Sequence, residues 1–177
     1  MTGEGFFLDF AKIAIAVVGF SSVVAALRHD RSAPWSIVEI FGLCTMTEHG
    51  FAAVGFGLLP SLISLFYSDE KLIWVLCSCV LTLFLSYALM IQVSRVYRAK
   101  LHGARPRQLR VMLIDLFGAG SIALILQVIN VLLWRGPGAY GLGCAWLLYT
   151  SCRQFSIFLM HIRDASAAQP GAQPDAR

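Results

Sequence analysis

Five long apolar runs make up most of this 177-residue chain, and its Arg and Lys residues gather in alternate gaps between them. A run of about 20 apolar residues is long enough to cross ~30 Å of hydrocarbon. A backbone in lipid must satisfy its own amides, which leaves helices or a closed barrel. A barrel would read as segments of about ten residues alternating in polarity, and these runs do not alternate. The expected fold is therefore all-α, a polytopic transmembrane helical bundle. Its spans are expected at about 10–27, 40–66, 72–93, 111–134 and 139–161, within one domain covering residues 1–163. Composition agrees: 58% of residues are hydrophobic and 14% charged, against about 25% charged in soluble domains. Residues 164–177, DASAAQPGAQPDAR, have little to bury and are expected to form a disordered cytoplasmic tail.

Charge sets the orientation. Arg28 and Arg31 follow run one; Arg95, Arg98, Lys100, Arg105, Arg107 and Arg110 follow run three; Arg163 and Arg177 lie in the tail. The gaps after runs two and four hold only Lys71 and Arg135, and Lys12 and Arg153 lie within runs. By the positive-inside rule the chain has its amino terminus outside and its carboxyl terminus in the cytoplasm. The segment before run one carries Glu4 and Asp9 and no basic cluster, so run one is expected to be an uncleaved span rather than a signal peptide. Trp35, Trp74, Trp134 and Tyr140 fall near run ends and read as interfacial anchors. The cysteines (Cys44, Cys77, Cys79, Cys144, Cys152) lie in apolar runs without CxxC spacing, and read as packed thiols.

Ionisable residues at membrane depth are the candidates for function, because a charge at a helix centre costs about 2.5–3.5 kcal/mol on insertion scales. Glu48 and His49 lie in run two, Asp115 in run four and Arg153 in run five. Glu48 has Cys44, Thr45, Ala52 and Gly55 around its helical face. These small residues let another helix approach, so Glu48 is expected to face the bundle, either protonated or paired with a cation on another helix; Arg153 with Asp115 or Glu48 would make a neutral buried pair. A longer helix starting near Trp35 would instead bring Glu48 toward the inner surface. Trp146, Tyr149, Thr150, Arg153 and Ser156 form a stripe expected to face protein. Gln127 and Asn130 suit hydrogen bonding between helices, as does the Ser78, Thr82, Ser86 stripe. Asp9 and Lys12 can pair at i,i+3. Pro60 is expected to close or kink the second helix.

The basic gap supplies a possible contact for anionic lipid through Arg95, Arg98, Lys100, Arg105, Arg107 and Arg110. The four histidines are not spaced to pair as metal or haem ligands, and no nucleophile motif is present. No catalytic, cofactor or metal site is expected, and no nucleic-acid partner.

A Gly19-Phe20 step in the first helix and Leu58-Leu59-Pro60 near the outer end of the second resemble small, uncharacterised bacterial multi-pass inner-membrane proteins of unknown function. The likeness covers about residues 10 to 135. It implies a bacterial inner membrane and transfers no activity and no site. Minimal outer loops and polar spots suited to helix–helix contacts make the expected function that of a non-enzymatic helix-packing interaction or accessory protein. Its expected partners are the lipid bilayer and either another membrane protein or further copies of itself. The rival is a small proton-coupled transporter or channel using Glu48, Asp115 and Arg153.

Overall fold

Every element in the computed structural model is helical, and the description covers residues 3–29, 37–101, 114 and 116–167. Helix α1 is Glu4–His29, α2 is Ile37–Ser64 and α3 is Glu70–Leu101. Helix α4 covers residues 116–134. Its α-helical centre, Ser121–Ile129, lies between π-helical turns at Leu116–Gly120 and Asn130–Trp134. Helix α5 is Pro137–Ala167. It runs four residues into the segment expected as a tail; residues 168–177 lie outside the described part. Helix α3 extends well past the predicted end of run three, which bears on the site described below.

Helix α2 is central. It packs most extensively on α1 and α5 and also borders α3, while α4 lies against α3 and α5. The α1–α2 seam explains the order of packing. One buried stripe on α1 comprises Phe7, Ala11, Ala14, Val18 and Ser21, and one on α2 comprises Met46, Gly50, Ala53, Gly57 and Pro60. Both sets step by four and three residues, the spacing of a heptad seam. Small side chains let the backbones approach closely. A Cβ on Gly57 would sit 3.0 Å from the Ala11 Cβ and 3.1 Å from the Phe7 carbonyl oxygen. At Gly50 it would meet the Val18 Cγ2 at 2.5 Å and the Ser151 Oγ at 3.1 Å, so α1, α2 and α5 converge there.

The connections are short and chemically specified. Asp69 caps α3, its carboxylate accepting from the Lys71 amide at 3.0 Å, as a helix start requires. Helix α4 ends at Arg135, which is left-handed with φ 49°. Pro137 then opens α5, a position where its missing N–H costs nothing. Asn130 holds this turn closed. Its Oδ1 accepts from the Gly136 amide at 3.1 Å, and its Nδ2 donates to the Gly136 carbonyl at 3.0 Å and to the Ser78 hydroxyl at 2.7 Å. One fully buried side chain thus ties α4 to α3 and to the α4–α5 turn.

Two expectations for this end of the bundle are corrected. Trp74 and Tyr140 are buried rather than interfacial, and they form a triangle with Phe7 whose ring centroids lie 5.4, 5.4 and 5.9 Å apart. Helix α2 continues a turn beyond Pro60. Proline has no amide to give the carbonyl four residues earlier. That carbonyl belongs to Phe56, and the Tyr140 hydroxyl donates to it at 2.6 Å. Burial of Tyr140 therefore replaces the helix bond that Pro60 removes.

Each helix turns large apolar side chains outward. Phe20 is 62% exposed, Leu83 71% and Leu133 73%, with Phe51 and Leu142 on the remaining helices similarly placed. Two helical stretches, Gly5–Val23 and Glu70–Leu101, are long and apolar enough to cross a membrane, and Gly118–Trp134 is a shorter apolar helix.

Candidate functional site

Among the described residues, seven polar ones are buried: Ser21, Thr45, His49, Ser78, Gln127, Asn130 and Ser151. They sort into two layers. Toward the α2–α3 and α4–α5 turns, Gln127 donates from Nε2 to the Ala139 carbonyl at 2.5 Å, and Asn130 makes the turn clamp described above. Of the predicted hydroxyl stripe, Ser78 alone is bonded across helices. Thr82 and Ser86 donate back to the carbonyls of Ser78 and Thr82 in their own helix.

The second layer joins α2, α3 and α5 nearer the opposite end, around Thr45. Helix α3 buries Trp74, Ser78, Leu81, Leu85, Ala88 and Ala99. Continued by fours and threes, that stripe passes through Gln92 and Arg95 before reaching Ala99, so both aim at α2. Gln92 Nε2 donates to the Thr45 Oγ1 at 2.8 Å, and Arg95 Nη1 donates to the same oxygen at 2.9 Å. Thr45 donates its own proton to the Phe41 carbonyl at 2.8 Å. A hydroxyl has one proton and two lone pairs, and all three are used here. Arg95 Nη2 reaches Glu48 Oε1 at 2.5 Å.

The partner of Glu48 is thus Arg95, a cation on another helix, rather than Arg153. Arg95 was expected in a loop. The continuation of α3 to Leu101 carries it onto the helix face that meets α2. Glu48 does not face the bundle interior: its side chain is 46% exposed at the α2–α3 edge, against 12% for Arg95. The residue that faces inward is its neighbour. His49 is 1% exposed, with its ring 5.6 Å from Trp146 and 6.3 Å from Phe84, both edge-on. Its Nδ1 lies 3.0 Å from the Thr45 carbonyl oxygen. A carbonyl only accepts, so Nδ1 carries the proton. Ser151 of α5 closes the layer by donating to the Met46 carbonyl at 2.9 Å.

Arg153 is half-buried on α5 and has a partner of its own. Of its predicted stripe, Trp146, Thr150 and Arg153 are half-buried, with Trp146 packed on the core, while Tyr149 and Ser156 are exposed; the most buried face of α5 runs through Tyr140, Cys144, Leu147 and Ser151. Asp115, Arg105, Arg107 and Arg110 lie outside the described residues. Arg98 and Lys100 are exposed on the last turns of α3. Asp9 and Lys12 form the expected exposed pair at 2.8 Å. Among the described residues, no cluster of three or more His, Cys, Asp or Glu side chains has metal-binding geometry.

These features define an all-helical bundle with an apolar exterior and polar groups that bond to one another across helices. No protein-family model, curated protein or solved structure matches the chain.

Proposed function

We propose that the chain is a five-span integral membrane protein of a bacterial inner membrane, with its amino terminus outside and its carboxyl terminus in the cytoplasm. We infer further that it acts without catalysis, as an interaction or accessory protein packing against other spans or further copies of itself. One observation carries both readings. Large apolar side chains are exposed on each helix, while interior polar side chains bond from helix to helix, to side chains or to backbone carbonyls. A soluble surface is polar apart from limited patches. In lipid, small residues and interhelical hydrogen bonds hold helices together. Residues 116–134 of α4 give about 28 Å of helix at ~1.5 Å per residue, close to the hydrocarbon thickness. The short outer connections and the charge asymmetry support the same topology.

The rival carrier would use the half-exposed Glu48. Against it, Arg95 neutralises that carboxylate and is itself held by Thr45. Freeing Glu48 to move a proton would leave Arg95 without its counter-ion. The test is proton flux into liposomes containing the purified full chain, loaded with a pH-sensitive dye and driven by an imposed membrane potential. The accessory reading predicts the same flux for wild type, Glu48→Gln and empty vesicles. Flux well above background that disappears in Glu48→Gln would overturn it in favour of the carrier.

A further inference from the structure

Lys71 lies in the first turn of α3 and Arg135 follows the last turn of α4, and both are exposed at the end of the bundle that holds the α2–α3 and α4–α5 turns. Contacts between the two helices place them side by side. Ser78 of α3 bonds to Asn130 of α4, and a Cβ on Gly120 of α4 would lie 3.1 Å from the Leu89 side chain of α3. The helices therefore run antiparallel, with 11 residues of α3 passing 10 of α4. Lys71 is 7 residues before Ser78, almost two full turns, so it occupies the face of α3 that meets α4. At ~1.5 Å per residue it stands about 10 Å beyond the Ser78–Asn130 contact, and Arg135, five residues past Asn130, stands about 7 Å beyond it. Neither cation is paired within the chain. The Asp69 carboxylate caps α3 by accepting from the Lys71 amide, and Glu70 has a partner of its own. Among the described residues, the Lys71 and Arg135 side chains make no ion pair or hydrogen bond.

Arg135 is held at this point against backbone preference. Its φ of 49° is left-handed, and the residue that ends a helix in this way is usually glycine. Glycine would close the same turn without strain, so the guanidinium is what the arginine adds. Just below it on α4, Leu132, Leu133 and Trp134 are all exposed. We propose that Lys71 and Arg135 together hold the phosphate of one anionic phospholipid, in the outer leaflet on the topology above, with an acyl chain lying along Leu132 and Leu133. Guanidinium and ammonium groups both donate charge-assisted hydrogen bonds to phosphate oxygens. A zwitterionic lipid would bring its own ammonium up against two cations. Free phosphate shares the headgroup chemistry but makes no use of the exposed leucines.

The inference rests on the membrane reading, and its test keeps the two separable. The purified full chain is reconstituted into phosphatidylcholine vesicles with a trace of phosphatidylglycerol that carries a photoactivatable diazirine near the head of one acyl chain. After illumination, labelled residues are located by peptide mass spectrometry, with label elsewhere on the chain as the internal reference. The site predicts label at residues 132–134 at least several-fold above that left by phosphatidylcholine carrying the same diazirine. Arg135→Gly and Lys71→Gln each lower it several-fold, while Arg135→Lys keeps most of it. Arg135→Gly should also unfold at the wild-type temperature or above, which separates loss of the site from loss of the fold. Label there that is equal for the two lipids, or that survives both charge removals, overturns the site. Label displaced by inorganic phosphate but not by chloride of the same ionic strength also overturns it, because the ligand is then the free anion. A chain that stays out of vesicles on flotation and fractionates with the soluble proteins overturns the membrane reading itself.

Discussion

Pro60 removes one amide from the α2 ladder, and the consequence appears on another helix: Tyr140 of α5 donates its hydroxyl proton to the Phe56 carbonyl that Pro60 leaves without a donor. The two residues should be energetically coupled. Tyr140→Phe is expected to cost about 1 kcal/mol, the scale of hydrogen bonds between membrane helices. In a Pro60→Ala background residue 60 regains its amide, and the same substitution should cost close to nothing. Thermal unfolding in detergent of the four chains checks this double-mutant cycle; additive effects would show that the hydroxyl does not replace the lost bond. Residue-level reading of the sequence went wrong here for a physical reason. An aromatic at a run end suits an interface equally well, and the need for an extra donor becomes visible only when α5 is laid against α2. Asn130 and Gln127 were legible, since fully apolar surroundings leave an amide few places to go except another helix or a turn.

At the level of helices, the α1–α2 contact depends on absent side chains. Gly57 faces Ala11 and the Phe7 carbonyl at contact distance, whereas Gly55, two residues away, has nothing within 4 Å of the Cβ it lacks. Gly57→Val should therefore separate the helices and lower stability by about 1–3 kcal/mol, the usual cost of overpacking. Gly55→Ala should be neutral or slightly stabilising, because Ala is the better helix former. Comparing unfolding midpoints of the two variants is decisive: equal losses would contradict the seam. The helices themselves were legible from run length. Their inner ends were not, because a basic residue can mark the end of a span or lie on a helix that continues beyond it. Arg95 was thereby assigned to a loop, although the spacing Trp74, Ser78, Leu81, Leu85, Ala88 already led through Gln92 to it. The α2–α3 ion pair was hidden by that choice of boundary rather than by lack of pattern.

For the whole molecule, Thr45, His49, Asn130 and Gln127 lie inside among a core of apolar side chains, and large apolar side chains are also exposed on the outside of each helix. Each interior polar group that reaches another helix fixes helix position, so the same contacts that specify the bundle also neutralise charge at membrane depth. An apolar exterior of this kind supports the proposed lipid surroundings, and transmembrane placement is the central claim. The most direct measurement is labelling of single cysteines, in a background without native cysteines, by a membrane-impermeant maleimide on intact spheroplasts. Cysteines placed at Thr2, Ser68 and Gly138 should label at once, and those at Ser32, Ala104 and Ala176 only after permeabilisation. Labelling of Ser68 and Ala104 positions from the same side, or of all six sites in the soluble fraction, would contradict the five-span account.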